Sequence, residues 1–443
     1  MESYEAAEIL KKRLTEKADD IIVSVNDEET SQIKISDSKI STTKNWQVSE
    51  ISVFAAVDKR IITTSLKEFS RESISDAVDS VVKFARAIKP NHEYCGIAEG
   101  PFPYRDTEDG YDPRIVSLTN EEKIDFLEGA VNTALSAGAR RVAGIFELTH
   151  RKNHILTSNN IDAEDRDTNA YLSLRSLVDK FATGHKMHVA RIFSKLRADW
   201  VARRSAEIAV DSQNPQSGPK GKFDVVFDPL PYSNILNQVG NAASAFYVDS
   251  GLSCFKGAIG KRVASSCLTL ADDGTLPNGL ASSKYDAEGR PSQKTILIER
   301  GVLKTYLHNT STAKRYKTAS TANAGLIAPE PTNLVLSGGD RSRDELISDV
   351  KKGLYLTNTW YTRFQNHQTG DFSTIPRDGA FYIKNGKIMH PVKDIRVSDN
   401  IIRILKNSVE LANDAIEVVG WEVETPCVCP SVLVKGVNIS RSA

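Results

Sequence analysis

Apolar residues recur at helical spacing over residues 4–18, with Ala6, Ala7, Ile9, Leu10 and Leu14 on one face. Strand-like alternation then takes over in 21–25, 31–36 and 49–64, and a second amphipathic helix follows over 71–88. The order then repeats. A helix over 120–138, with Asn120 as its N-cap and Gly138 as its stop, leads into strands over 141–148, 154–158, 169–178 and 187–193 and a closing helix over 199–211. This doubled pattern fits either an internal duplication or one α+β sheet with helices on one face. A single packed α+β domain with a mixed sheet is the simpler expectation. Residues 89–113, rich in Pro, Gly, Asp and Tyr, read as a long surface loop.

The stretch 212–222, SQNPQSGPKGK, combines Pro, Gly, Ser and charge without apolar periodicity and reads as an exposed linker. It divides the chain into an N-terminal α+β domain, residues 1–215, and a C-terminal domain, residues 223–443. Short strands and turn signals dominate the second half (DDG at 272–274, PNG at 277–279, GGD at 338–340, KNG at 384–386). The best helices there are 342–352 and 400–411, so the domain is expected to be β-rich, barrel- or sandwich-like. At 443 residues, two domains are the default.

Lysine plus arginine and aspartate plus glutamate each number 57, so the formal charge is zero. That argues against a protein that holds nucleic acid or an anionic membrane by bulk electrostatics. The N-terminus carries no basic start followed by an apolar run, and the apolar runs are strand-sized. Five cysteines without a framework spacing suggest no disulfide scaffold, and the expected compartment is the cytoplasm.

The segment 229–240, PLPYSNILNQVG, follows a buried-looking strand at 223–227 and opens an apolar helix. A His-Glu zinc motif could sit at such a junction, yet its polar positions Asn237, Gln238 and Asn241 are neutral amides, poor zinc ligands that cannot ionise as a general base. His92-Glu93 has no second histidine one turn later. His185 and His188 are three apart on an expected strand and so face opposite ways. His150 and His154 straddle Arg151-Lys152-Asn153, an expected hairpin turn. Cys427 and Cys429 could donate two thiolates, or be buried strand residues. Asp286 and Glu288 could pair with each other or serve ordinary turn chemistry. No nucleophile elbow, phosphate loop or dinucleotide fingerprint is present.

Eight pieces in order carry a resemblance: VVFDP from 225, FKGAIGKRVAS at 255–265, YDAEG at 285–289, TILIERGVLKTYLHNTSTAKR at 295–315, PTNLVLSGGD at 331–340, QTGDFS at 368–373, FYIKNGKI at 381–388 and Pro430-Ser431. Together they cover most of the C-terminal half, which resembles the TldD/PmbA peptidase family; the N-terminal half agrees in layout more than in words. In that family TldD-like chains carry H-E-x-x-x-H on the helix after the first C-terminal strand, with a downstream cysteine completing a zinc site. PmbA-like chains, also called TldE, lack it. In one register the motif falls on Leu236, Asn237 and Asn241 here, in the other on Asn237, Gln238 and Ala242. The sequence therefore resembles TldE. Cys427 and Cys429 sit close to the zinc cysteine of TldD-like chains. At 321–324 this chain reads TANA where the family reads more like T-G-N, which puts a glycine-dependent turn in doubt.

The resemblance implies a non-catalytic subunit of a TldD–TldE complex that degrades or trims unfolded peptides, with no metal or catalytic residue in this chain and zinc in a TldD-like partner. It also implies related docking surfaces, and a homodimer where the partner is absent. The alternatives are an autonomous peptidase or hydrolase with an unrecognised site, and a non-catalytic binding or adaptor protein.

Overall fold

In a computed structural model, which describes residues 1–441, the chain opens as α1 (Ser3–Leu14), β1 (Asp20–Ser36), β2 (Lys39–Val57), β3 (Arg60–Leu66) and α2 (Arg71–Ala87). After a short helix, α3 (Pro113–Ser117), the order returns as α4 (Asn120–Ser136), β4 (Arg141–Thr157), β5 (Asp162–Leu177), β6 (Thr183–Ala190) and α5 (Ala198–Asp211). One sheet results, ordered β3-β2-β1-β4-β5-β6, in which two three-stranded meanders meet along β1 and β4. Every pairing is antiparallel, so the sheet is not mixed as expected. Turns such as Asp37-Ser38 and Asp58-Lys59, all four residues at positive φ, reverse the chain too tightly for a parallel crossover. Ile21, Val23, Ile33 and Ile35 of β1 face the four long helices, while Ile22 faces the other side. That other side is covered in part by residues 89–113: Tyr94, Ile97 and Ala98 are buried against Ile22, Phe54 and Ile155, so the expected surface loop is a packed strap. The cap of α4 is Thr119, not Asn120, because Thr119 and Glu122 close a reciprocal capping box. Gly138, at φ +104°, does stop that helix.

Beyond α5 come β7 (Gln216–Ser217), β8 (Gly221–Phe227), α6 (Pro229–Ala242), α7 (Ala245–Asp249), β9 (Leu270–Asp273), β10 (Lys294–Glu299) and β11 (Val302–Leu303). They are followed by α8 (Thr310–Tyr316), β12 (Leu334–Leu336), α9 (Arg343–Ser348), β13 (Lys352–Leu356), β14 (Thr359–Asn366) and β15 (Asp371–Pro376). The described chain closes with β16 (Ala380–Lys384), β17 (Lys387–Lys393), β18 (Ile395–Asn400), α10 (Ile401–Asn407), β19 (Ser408–Leu411), β20 (Ile416–Gly420), β21 (Val423–Cys429) and β22 (Val432–Arg441). One sheet runs β11-β10-β9-β12-β21-β20; the other runs β14-β15-β18-β22-β8-β13-β16-β17-β7, with β19 beside β22. Among the described residues neither closes into a barrel. Their facing residues, among them Phe227 and Leu356 from one and Leu270, Leu334 and Cys427 from the other, join α6 in one core. The half is thus β-rich and sandwich-like, with a helix as filling. The helix expected over 400–411 stops at Asn407, because Ser408–Leu411 pairs with β22 instead. Part of the expected linker is pinned: Gln216–Ser217 pairs with β17, and Gly218 donates to the Lys393 carbonyl. Among the described residues no helix is long and apolar enough to cross a membrane.

The two halves share a seam. Met187 and Val189 of β6 belong to the C-terminal core. Between them and Thr183, Lys186 donates to the Asp228 carboxylate at the start of α6, and both side chains are buried. The Tyr355 hydroxyl donates to the same carboxylate at 2.9 Å. Arg191, just past β6, donates to the carbonyls of Leu280 at 2.8 Å and Ser282 at 2.6 Å, and the Leu280 N–H donates to Glu417 at 2.9 Å. Removing one member of a buried pair strands the other charge, so Lys186→Met is expected to cost about 3–5 kcal/mol, read as a fall in the urea midpoint. The double variant Lys186→Met, Asp228→Asn should recover much of that loss. Burial pushes Glu417 up to about 7 from 4.5, with Arg191 pulling the other way. A raised carboxyl binds its proton more tightly when folded, so stability falls as pH rises from 4.5 to about 7. Glu417→Gln keeps an acceptor for Leu280 and should flatten that slope in pH-dependent melts.

Candidate functional site

Helix α6 starts where β8 ends, with Pro229 and Pro231 in its first turn, where a missing N–H costs nothing. Nearly every residue is buried, because both sheets and β8 pack around it. Gly240 lets it approach β12: a Cβ there would stand 2.6 Å from Leu334 Cδ1. Its amides hold the helix to both sheets. Asn234 Nδ2 donates to the Thr359 carbonyl at 2.9 Å and its hydroxyl at 2.8 Å, and Asn237 Nδ2 reaches the Thr425 carbonyl at 3.4 Å.

Strand β21 places Cys427 and Cys429 two apart, hence on one face, and both are fully buried. Cys427 Sγ lies 3.3 Å from the Thr425 carbonyl and 3.9 Å from that of Ser233 on α6. The structure therefore brings Asn237 and the two cysteines to one junction. Gln238 and Asn241 are only half-buried, and among the described residues neither bonds to a thiol. Burial pushes both thiols well up, with Glu417 and Asp272 adding to the effect at Cys427, and Cys427 to that at Cys429. The junction offers amides and protonated thiols. Among the described residues no three His, Cys, Asp or Glu side chains converge into a metal-holding group.

Beside the first half of α6 lies a cleft of about 380 Å³ between β5–β6 and the β20–β21 turn. Apolar walls and the rings of Trp360 and Trp421 line it, and Trp421 is 85% exposed. Its polar side is one network. Asp378 accepts from Arg175 Nη2 at 2.9 Å, Thr183 Oγ1 at 2.7 Å and Asn358 Nδ2 at 3.0 Å; Asn358 Nδ2 also lies 3.3 Å from His185 Nδ1, and His185 Nε2 is 2.9 Å from Ser173 Oγ. A serine beside a histidine invites a nucleophile reading. The tautomer opposes it. Because Asp378 fixes the Asn358 NH₂ toward the ring, Nδ1 must accept, so Nε2 carries the hydrogen and donates to Ser173. A general base would need a free lone pair there. Burial holds His185 well below its ordinary value, against the pull of Asp378.

The other sequence candidates scatter. Glu93 pairs with Arg315 at 2.5 Å. Residues 151–153 are not a turn but the middle of β4, so His150 and His154 share a face with separate partners, Tyr111 and Asp162. His188 faces away from the cleft, against Trp200. Asp286 organises a turn: its carboxylate accepts from the N–H groups of Glu288, Arg290 and Ala324 at 3.0 Å each, and its own N–H donates to the Arg290 carbonyl at 2.9 Å. Ala322 adopts φ +53°, so the left-handed turn persists without a glycine. The network around Asp378 had no signature in the sequence, since its members come from 173 to 378.

Residues 220–441 match the PmbA/TldA metallopeptidase C-terminal domain, and residues 113–213 match the central domain of the same peptidases. The chain belongs to the PmbA/TldD family. It is 24% identical over 371 residues to a metalloprotease PmbA homolog of Haemophilus influenzae, covering 82% of this chain and 80% of that protein. A metalloprotease of Methanothermobacter thermautotrophicus is 35% identical over 220 residues, 48% of each chain, so the alignment spans about half of that relative. The crystal structure of TldE from Thermococcus kodakarensis superposes with a TM-score of 0.87 at 19% identity, over 98% of this chain and 100% of that one, and shares its fold.

A metallopeptidase family implies a zinc ion, and the α6–β21 residues do not fit one: zinc is held by imidazole, carboxylate or thiolate, and here there are amides and thiols kept protonated. The same burial predicts reactivity. In the native protein a maleimide should label the exposed Cys95 and Cys267 first, with Cys427 and Cys429 slower by more than about a hundredfold until denaturant is added. Labelling of Cys427 at the rate of Cys95 would mean that the junction is open.

Proposed function

We propose that this chain is the PmbA/TldE-like, non-catalytic subunit of a two-subunit metallopeptidase that trims or degrades unfolded peptides in the cytoplasm, with the zinc held by a TldD-like partner. The observation that carries this reading is the α6–β21 junction. Asn237, Gln238 and Asn241 stand where the family motif would put ligands and a general base, and neither Cys427 nor Cys429 is ionised to replace them. The fold around that junction is kept, as an assembly subunit requires. Names of relatives as metalloprotease and PmbA homolog support the class of activity. The open cleft beside α6 suits an extended chain, whose side chains would enter apolar walls one at a time. Without the partner, a homodimer through the surface that would dock that partner is the expected state.

Digestion of an unfolded peptide by this chain, by a TldD-like partner and by the mixture, each with and without chelator, tests the reading. Chelator-sensitive cleavage is expected from the mixture only, and elemental analysis should find less than stoichiometric zinc on this chain. Leu236→His with Asn237→Glu should remain inactive alone, since Asn241 still occupies the second histidine position. Chelator-sensitive cleavage by the unmixed chain would overturn the proposal.

A further inference from the structure

A second cavity, about 270 Å³, lies where the strap, the start of α8 and the loop 325–329 meet the first sheet. That is room for about nine waters, or one long side chain. Ile22, Phe54, Ile61 and Ile97 supply apolar wall, and Ile327, 56% exposed, stands at the rim. Glu288 lines the cavity and is itself only 5% exposed. Its Oε2 accepts the Thr310 N–H at 3.2 Å, while among the described residues Oε1 accepts no hydrogen bond.

The charges around it are otherwise spoken for. Arg315 pairs with Glu93 and Asp249, and Lys314 lies 3.5 Å from Glu99. The Tyr94 hydroxyl donates to Asp20 at 2.8 Å, and Asp286 is satisfied by its turn. Arg290 attracts Glu288 only at a distance, its guanidinium lying over Phe102. Burial, and then the charge of Asp286, holds Glu288 above the ordinary carboxylate range. Glu288 is thus a carboxyl with one protein hydrogen bond, at a cavity with an apolar wall on one side and neutral polar groups, among them Asn91, Asn309, Ser311 and Thr312, on the other. A cation on an aliphatic stem answers both features, the stem against the isoleucines and the charge on Oε1. A neutral or anionic group answers one or neither.

We propose that this cavity binds an alkylammonium group, a primary amine on an unbranched aliphatic stem, with Glu288 as its counter-charge. The amine has two possible sources, a lysine side chain of a bound peptide and a free alkylamine. The inference does not rest on the peptidase reading, and its test needs no turnover. Calorimetric titration of the full chain with n-pentylammonium should show one site, with 1-pentanol binding at least about tenfold more weakly. Binding should release protons when the pH is below the Glu288 midpoint and almost none above it, seen by comparing buffers of different ionisation enthalpy. Unstructured peptides with lysine or norleucine at one position separate the sources: a lysine preference points to peptide, and binding of the free amine alone points to a small molecule.

Glu288→Gln should abolish the preference for amine over alcohol. Ile327→Lys sets a competing ammonium at an exposed rim position and should weaken pentylammonium binding even if the Glu288 variant does not fold. Equal binding of amine and alcohol, or no binding of either at millimolar concentration, overturns the proposal. So does wild-type amine affinity in a folded Glu288→Gln protein.

Discussion

The structure depends on a buried charge pair at the root of its central helix. Lys186 and Asp228 are almost fully withdrawn from water, and Tyr355 completes the carboxylate's hydrogen bonding. Burial alone would raise Asp228; Lys186, and then Arg343 at 4.0 Å, more than offset it and leave the carboxyl below its ordinary value. Asp228 also precedes the first turn of α6, where a negative charge meets the positive end of the helix dipole. One contact therefore sets three things together: the docking of β6 on the C-terminal half, the start of α6, and the approach of β13. An apolar pair of similar volume would be no less stable in principle, but it would not fix the axial position of α6.

That position matters because α6 is buried on nearly all sides, with only Gln238 and Asn241 half-exposed. Two of its amides find partners in the sheets, Asn234 Nδ2 on β14 and Asn237 Nδ2 on β21, while Ser233 Oγ and Asn234 Oδ1 stay buried without a hydrogen bond. Two amides of α6 thus serve as structural ties. Charged residues in the same places would need a metal or an ion partner to offset their burial, whereas the amide NH₂ groups donate to backbone carbonyls already present. The helix is thus anchored by its own amides together with the Lys186–Asp228 pair at its start.

The sequence made α6, β8 and the doubled layout of the first half legible, because burial there follows simple periodicity. It hid the length of the strands. β1 and β2 pair continuously from Asp20↔Ala56 to Ser36↔Lys39, through segments whose polar residues look like breaks. In the polar stretches those ends of the sheet are held by ladder hydrogen bonds and cross-strand pairs, such as Gln32 Nε2 to Glu147 Oε2 at 2.7 Å and the Thr30–Thr149 hydroxyls at 3.2 Å, beside the apolar contacts of Ile33 and Ile35. Arg151-Lys152-Asn153 misled for the same reason, since Arg151 is fixed by Glu28 from the neighbouring strand. The site was half legible. Asn237 and the two cysteines could be read from local pattern, but the Asp378 network and the Glu288 cavity unite residues from both halves of the chain, and nothing in local spacing encodes such a meeting.

Both cavities lie on the seam between the halves, and they differ in charge for a structural reason. In the cleft beside α6, Arg175 is already neutralised by Asp378 and braced over Trp360 at 4.7 Å, leaving apolar walls and aromatic rims. In the cavity under the strap, the nearby cations are committed to other acids and one carboxylate is left over. Thr183, Arg175 and Lys186 come from strands β5 and β6 while Asp378 and Asp228 belong to the C-terminal half, so these bonds fix the two walls of the cleft beside α6 relative to each other. Of these ties the Lys186–Asp228 pair is the most deeply buried, and so the one whose loss would cost the seam most.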